Sequence, residues 1–154
     1  MHARLRTLTV AIALASPLAS PLASPLSAQT APSKSLDELK LMGHKYAEWV
    51  VTALADSLVA HAASPDMVSE IRDNVATMAA QIGVRAGVEL SLIEERMVKR
   101  NKADQYWRIA KYSTLGEPLL IRVVVSPDGK YAGLGVGPLS QAPPVDPPVD
   151  PPSS

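Results

Sequence analysis

The sequence predicts an α+β domain in which two N-terminal helices pack on a four-stranded antiparallel sheet. Apolar residues recur with a helical period from Leu36 to Gly83, and after Gly87 the period changes to the two of a strand. LLIRVVV is a near-continuous apolar run typical of a central strand, and SPDG after it is typical of a hairpin turn. Two helices followed by four strands favour a two-layer fold.

The first 28 residues have the pattern of a secretory signal peptide. MHARLR carries two arginines, LTVAIALA is apolar, and small residues lead to PLSA. We expect cleavage after Ala28, with Ala15, Ala19 and Ala23 as alternatives. A membrane anchor would need about 20 mostly apolar residues, whereas this run ends at Ser16–Pro17. The sequence therefore predicts an exported protein, periplasmic or extracellular, with no stable membrane anchor after cleavage.

Residues 29–35 form a polar lead-in to the first helix, which we expect to run from Leu36 to about His61. Its apolar side comprises Leu39, Met42, Tyr46, Trp49, Val50 and Ala53. The second helix is expected to begin at Pro65 with Ser64 as its N-cap, because serine before a proline is a strong start signal. Gly83 is expected to end it.

Four strands are expected at about residues 88–99, 105–113, 119–125 and 131–136. The predicted domain therefore spans residues 36–138. Beyond it the repeated PPVD predicts that residues 139–154 form a disordered, polyproline-like tail. PVDP also fits the PxxP pattern of proline-rich ligands.

Composition excludes several classes of function. The chain has no cysteine, so disulfides, a thiolate nucleophile and a cysteine-based zinc site are excluded. Removing residues 1–28 takes away two of the 15 basic residues and none of the 15 acidic ones, which gives a net charge of −2. We expect no nucleic-acid partner, because such binding calls for a basic face. The chain contains neither G-x-S-x-G nor a phosphate-binding glycine loop that opens a helix, and we expect no cofactor.

The stretch IEERMVKRN, a strand, and then LLIRVVVSPDGKYAGLGVGP resembles exported bacterial domains of unknown function in the nuclear-transport-factor-2-like superfamily. The resemblance covers roughly Leu36 to Pro138 and rests on Arg122–Val125, Asp128–Lys130 and Gly133–Leu134. It implies a cone-shaped fold in which helices cap a strongly curved sheet, often with a cavity between them. Similar domains are sometimes fused to secreted serine hydrolases, and the superfamily includes both enzymes and non-catalytic binding or dimerising modules, so the fold does not choose a function.

Asp56 and His61 are the candidate catalytic residues. Asp56 flanks the apolar side of the first helix and could serve as a carboxylate base in an isomerase-type site. His61 falls on the inward side near the end of that helix, where a capping or half-buried role is the alternative. His44 and Glu48 are spaced for one side of a metal site, but we expect a surface pair and no metal.

The glycines of the last strand predict a close approach of another group. Alternation places Tyr131 on the same face as Gly133 and Gly135, and a face without side chains calls for a bend, a ligand or a large side chain. We expect this groove to be filled by the chain itself or to bind a small apolar ligand. The predicted pocket residues are Tyr46, Trp49, Ala53, His61, Tyr131, Gly133 and Gly135.

Leu120, Arg122 and Val124 lie on the other face of a strand that is apolar on both sides. A homodimer built sheet to sheet would cover that face. We therefore expect a non-catalytic binding or dimerisation module. The alternatives are a small-molecule isomerase or hydrolase-like enzyme, and an envelope scaffold that uses its proline-rich tail.

Overall fold

The computed structural model describes residues 33–147 as three helices on one antiparallel sheet. The order of the strands across the sheet follows the order along the chain. The bounds are α1 Leu36–Val51, α2 Ala55–Val59, α3 Pro65–Ala86, β1 Glu89–Arg100, β2 Ala103–Tyr112, β3 Leu119–Val125, β4 Tyr131–Pro138 and a 3-10 turn at Leu139–Gln141. The predicted α+β class is confirmed, with three α-helices where two were expected. The predicted signal peptide and residues 148–154 lie outside the described residues.

The first predicted helix is divided into α1 and α2. α1 begins with a capping box, in which the Ser35 side chain accepts from the Glu38 amide and Glu38 accepts from the Ser35 amide at 2.9 Å. It ends because Ala53 adopts a φ of 57°, which no continuing helix allows. Alanine gives no signal for that conformation, so the expected single helix to His61 was wrong.

α3 runs past Gly83 and ends at Gly87. Gly87 has a φ of 77°, and a Cβ at this position would lie 2.2 Å from Oγ of Ser113 and 2.6 Å from Oγ1 of Thr114. Both facts require glycine there. The predicted stop at Gly83 was therefore wrong by one helical turn.

The helices cover one face of the sheet, here called the inner face, and form the main core with it. Tyr106 is fully buried at the centre of this face, directly under α1. α1 approaches it closely because Gly43 has no side chain; a Cβ on Gly43 would lie 2.2 Å from Cβ of Tyr106. The remaining buried residues of the inner face include Ala110, Tyr112, Leu119, Ile121, Val123, Val125 and Tyr131.

The opposite, outer face of the sheet carries a second, smaller core. It consists of Trp107, Ile109 and Leu120, which are 2%, 3% and 2% exposed. Leu139 and Ala142 pack against this cluster, as does Val98 of β1. The outer face is therefore covered by the chain segment that follows β4.

Residues 139–146, here called the strap, cross the outer face and end at the β1–β2 turn. The Asp146 amide donates to the Lys99 carbonyl at 2.8 Å. The Asp146 carboxylate accepts from the amides of Asn101 and Lys102 at 3.0 and 2.9 Å. These two turn residues have φ of 50° and 64°, as in a type I′ hairpin.

The strap corrects the prediction that residues 139–154 are disordered from their first residue. Its apolar side chains have a buried surface to pack on, which composition alone does not reveal. It also changes the argument for a sheet-to-sheet dimer, since Leu120 is covered within one chain, while Arg122 and Val124 stay half-buried.

Two helical glycines give a matched test of the packing under α1. Gly43→Ala should lower the free energy of unfolding by about 1–3 kcal/mol or more, because its methyl overlaps Tyr106. Gly83→Ala should raise it by about 0.5–1 kcal/mol, because nothing lies within 4 Å and alanine favours a helix. Urea unfolding measures both. Equal effects of the two substitutions would contradict the close approach of α1 to the sheet.

Candidate functional site

Four of the predicted pocket residues are in contact with one another between α1, α2 and β4. They are Tyr46, Trp49, His61 and Tyr131. The rings of Tyr46 and Trp49 have centroids 5.7 Å apart, those of Trp49 and His61 5.1 Å, and those of Tyr46 and Tyr131 5.9 Å. The Tyr46 hydroxyl donates to the Gly129 carbonyl at 2.6 Å. Rings at these separations are in contact. The four side chains therefore fill the space between these elements themselves.

The other three predicted pocket residues lie elsewhere. Ala53 is exposed in the break between α1 and α2. Gly133 and Gly135 lie on the outer face, because Val124 pairs with Gly133 whereas Val125 pairs with Tyr131. That irregularity adds one residue to β4 and moves Tyr131 to the inner face. The expectation that Tyr131 shares a face with the glycines was wrong for this reason.

The two candidate catalytic residues have different surroundings. Asp56 is exposed on α2, and no hydrogen bond of its side chain occurs within residues 33–147. The Nδ1 of His61 lies 2.9 Å from the Ser57 carbonyl, so it carries the proton and donates. The backbone of His61 accepts from the Tyr131 amide at 2.8 Å and ties the end of α2 to β4. His61 thus joins two elements, with its ring inside the aromatic cluster.

A polar network that the sequence did not predict lies between α1 and the β1 side of the inner face. Its centre is Oε1 of Glu95, which accepts from Arg108 Nη1 at 2.6 Å, from the Tyr106 hydroxyl, and from His44 Nδ1 at 2.7 Å. Arg108 also donates to Glu89 at 2.8 Å through Nη2. One carboxylate oxygen therefore links α1, β1 and β2.

These contacts fix the protonation states of the network. Burial raises the pKa of Glu95, but the hydrogen bonds from Tyr106 and His44 outweigh it and hold this pKa below its ordinary value. Burial and the Glu95 carboxylate raise the pKa of Tyr106. Burial, with the charge of Glu89, raises the pKa of Tyr112 to about 12. At neutral pH the network holds an ionised Glu95 and neutral tyrosines.

The predicted His44–Glu48 surface pair is present, with Nε2 of His44 3.2 Å from Oε1 of Glu48. The second carboxylate partner of His44 is Glu95, which lies 2.7 Å from the other ring nitrogen. The two carboxylates lie on opposite sides of the ring, so they do not face one ion. No group of three or more metal-ligating side chains occurs in the described part of the chain.

The sequence gives no signal that Glu95 faces inward, because a charged residue on a strand is expected on its solvent side. The pairing of β1 with β2 shifts between Glu89 and Ser91 and again between Leu92 and Glu94. One shift moves the following residues to the other face, but the two shifts cancel, so Glu89 and Glu95 both lie on the inner face, opposite Tyr112 and Arg108. The sequence signal for this network lay on β2. There Tyr106 and Arg108 share one face of the strand and Trp107 lies on the other, which places two polar groups on the inner face.

A groove lies between the last turns of α3 and the ends of β3 and β4. It has a volume of about 350 Å³ and continues beside Leu115 into a wider opening next to Gly116 and Glu117. Gln81 and Arg85 are the polar residues of α3 that line it. Its apolar lining includes Met78, Ile82, Ala86, Leu115, Leu119 and Val136.

No protein-family model, curated protein or solved structure matches this chain. None of the helices within residues 33–147 is long and apolar enough to cross a membrane.

Replacing Glu95 tests the network. The Glu95→Gln variant should unfold with about 2 kcal/mol less free energy at neutral pH, because three donors lose an ionised acceptor. Since the pKa of Glu95 is lowered on folding, its stabilisation is complete above the unfolded value of about 4.3 and disappears as pH falls through the folded value. The variant should therefore lose less stability on acidification than the wild type. Urea unfolding at several pH values measures this.

Glu94→Gln is the matched control, because Glu94 is the adjacent residue on the opposite face and its side chain is 44% exposed beside Arg96. Its effect should stay within about 0.5 kcal/mol. Two results would contradict the central position of Glu95. One is an equal loss of unfolding free energy in the two variants, and the other is a Glu95→Gln variant that loses as much stability on acidification as the wild type.

Proposed function

We propose that this protein is a non-catalytic binding module whose groove between α3 and β4 holds a small ligand with an apolar body and an acidic end. The groove carries this proposal. Its volume of about 350 Å³ lies within the range of about 300–1,000 Å³ common for small-molecule sites. Apolar side chains form most of its lining, which favours an apolar ligand body.

Arg85 gives the groove its preference for an acidic end. It lies in the last turn of α3 and forms no ion pair with any residue between 33 and 147. A guanidinium at the edge of an apolar site binds a carboxylate or sulfonate through two parallel hydrogen bonds. Gln81, one turn earlier on the same helix, adds a second polar contact.

The groove lining favours binding over catalysis. General acid–base catalysis needs a titratable group within hydrogen-bond reach of the substrate. The residues that line its 350 Å³ part include no histidine, aspartate or glutamate, and the carboxylate of Glu117 at the wider opening accepts from the Ser140 amide at 3.1 Å. The alternative, an isomerase or hydrolase-like enzyme that uses Asp56 or His61, is weaker because Asp56 faces solvent and His61 is held by Ser57 and the aromatic cluster.

We also propose that the domain is exported and has the nuclear-transport-factor-2-like fold. The N-terminal signal pattern supports export. Helices on one face of a four-stranded antiparallel sheet, with Asp128–Lys130 at the β3–β4 turn, are compatible with the superfamily. An envelope scaffold that reaches a partner through its tail is less favoured, because the first PPVD unit is bound to its own chain at Asp146.

Binding of 1-anilinonaphthalene-8-sulfonate tests the groove, because this probe combines an apolar body with a sulfonate. We expect a saturable fluorescence increase with one probe per chain. Gln81→Trp should abolish it by filling the groove, and Arg85→Gln should weaken it about tenfold through loss of one charged contact.

Arg72→Gln is the control, because Arg72 is an exposed residue of α3 that does not line the groove. Binding that does not saturate, or that is equally strong in Gln81→Trp, would contradict the proposed function.

A further inference from the structure

The outer face holds a second feature that the proposed function does not use, a pair of arginines beside the strap. In the register of the sheet, Trp107 pairs with Arg122 and Arg122 pairs with Gly135. Arg100 ends β1 on the same face, opposite Ala103. Gln105 lies between them on β2, so three nitrogen-bearing side chains share one region of the sheet.

Arg122 is held flat against the sheet by the absence of a side chain at Gly135. A Cβ on Gly135 would lie 2.3 Å from Nη2 of Arg122, 2.8 Å from Cζ and 3.0 Å from Nε. The guanidinium therefore occupies the place that any other residue would fill. This contact explains why β4 carries glycine at position 135.

Neither arginine forms an ion pair within the described residues, although the charge of Arg100 helps to lower the pKa of the Asp146 carboxyl. Arg122 forms no ion pair there, and Nε of Arg100 is buried without a hydrogen-bond acceptor. Burial lowers the pKa of Arg122, and the charge of Arg100 lowers it further, so the two cations are close enough to repel. A buried donor without an acceptor is costly, and an anion between the two groups would remove both costs.

Gln105 supplies a further donor. It is 5% exposed, and its carboxamide oxygen accepts from Nε1 of Trp107 at 3.2 Å. Its amide nitrogen has no acceptor among residues 33–147 and is left to donate. Two guanidinium groups and an amide N–H favour an anion here, and the nearby Asp146 carboxylate is itself bound to the amides of Asn101 and Lys102.

We propose that Arg100, Arg122 and Gln105 form an oxyanion-binding site on the outer face, suited to a phosphate or sulfate group. Guanidinium groups donate paired N–H bonds that match two oxygens of such a group, which is the geometry of arginine in phosphate recognition. The anion is either free or the terminal group of a larger molecule. The site is on the opposite face of the sheet from the groove and is independent of it.

Titration with inorganic phosphate tests this site in the full chain. The arginine Nε–Hε signals are followed by NMR at constant ionic strength, with sodium chloride replacing phosphate. We expect the signals of Arg100 and Arg122 to shift together along one saturating curve, and that of Arg72 to stay unchanged. A linear drift of all arginine signals would overturn the proposal.

Two glycine variants separate binding from folding. Gly135→Ala should weaken phosphate binding about tenfold while retaining every arginine, because its methyl displaces the end of the Arg122 side chain. Gly133→Ala meets only Val124, at 3.3 Å, and should bind as the wild type does. Equal affinities of the two variants would overturn the proposal, as would an Arg122→Gln variant that still binds.

Glycerol 3-phosphate distinguishes the two sources of the anion. If glycerol 3-phosphate binds more tightly than inorganic phosphate, and Arg122→Gln abolishes this binding, the site exists and its ligand is a larger phosphorylated molecule. If the two ligands bind equally and Arg122→Gln abolishes the binding of both, the site exists and its ligand is free phosphate.

Discussion

Strand β3 is apolar on both faces, and a different part of the chain has to exclude water from each of them. α1 and α3 cover Ile121 and Val123 on the inner face, whereas the strap covers Leu120 on the outer face. Burial of apolar surface is the main favourable term in folding. The domain therefore depends on a strand with six apolar residues of seven, which is enclosed by helices that precede the sheet in the sequence and by a segment that follows it.

The helices leave part of the inner face uncovered, and the strap leaves part of the outer face uncovered. The candidate sites lie in these uncovered parts. On the inner face α1 lies against Tyr106, and the polar edge beside it is occupied by the Glu95 network. The last turns of α3 leave the groove beside Leu119 open. On the outer face the strap covers Trp107 and leaves Arg122 half-buried on its glycine.

The sequence predicted the elements well and their faces less well. Hydrophobic period, the Ser64–Pro65 start and the SPDG turn were local signals, and the elements that they predicted are present. The helix break at Ala53 and the extra residue in β4 have no local signal, because tertiary packing imposes them. The candidate pocket depended on that extra residue, and the strap depended on a partner surface far away in the sequence.

Solvent access to Trp107 tests the covered outer face most directly. In a Trp49→Phe background Trp107 is the remaining tryptophan, and acrylamide quenching of its fluorescence can be compared between the full chain and one that ends at Pro138. We predict weak quenching in the full chain and several-fold stronger quenching without the strap. Equal, weak quenching in both chains, with both folded and monomeric, would contradict the account, because the indole would then be shielded without residues 139–146.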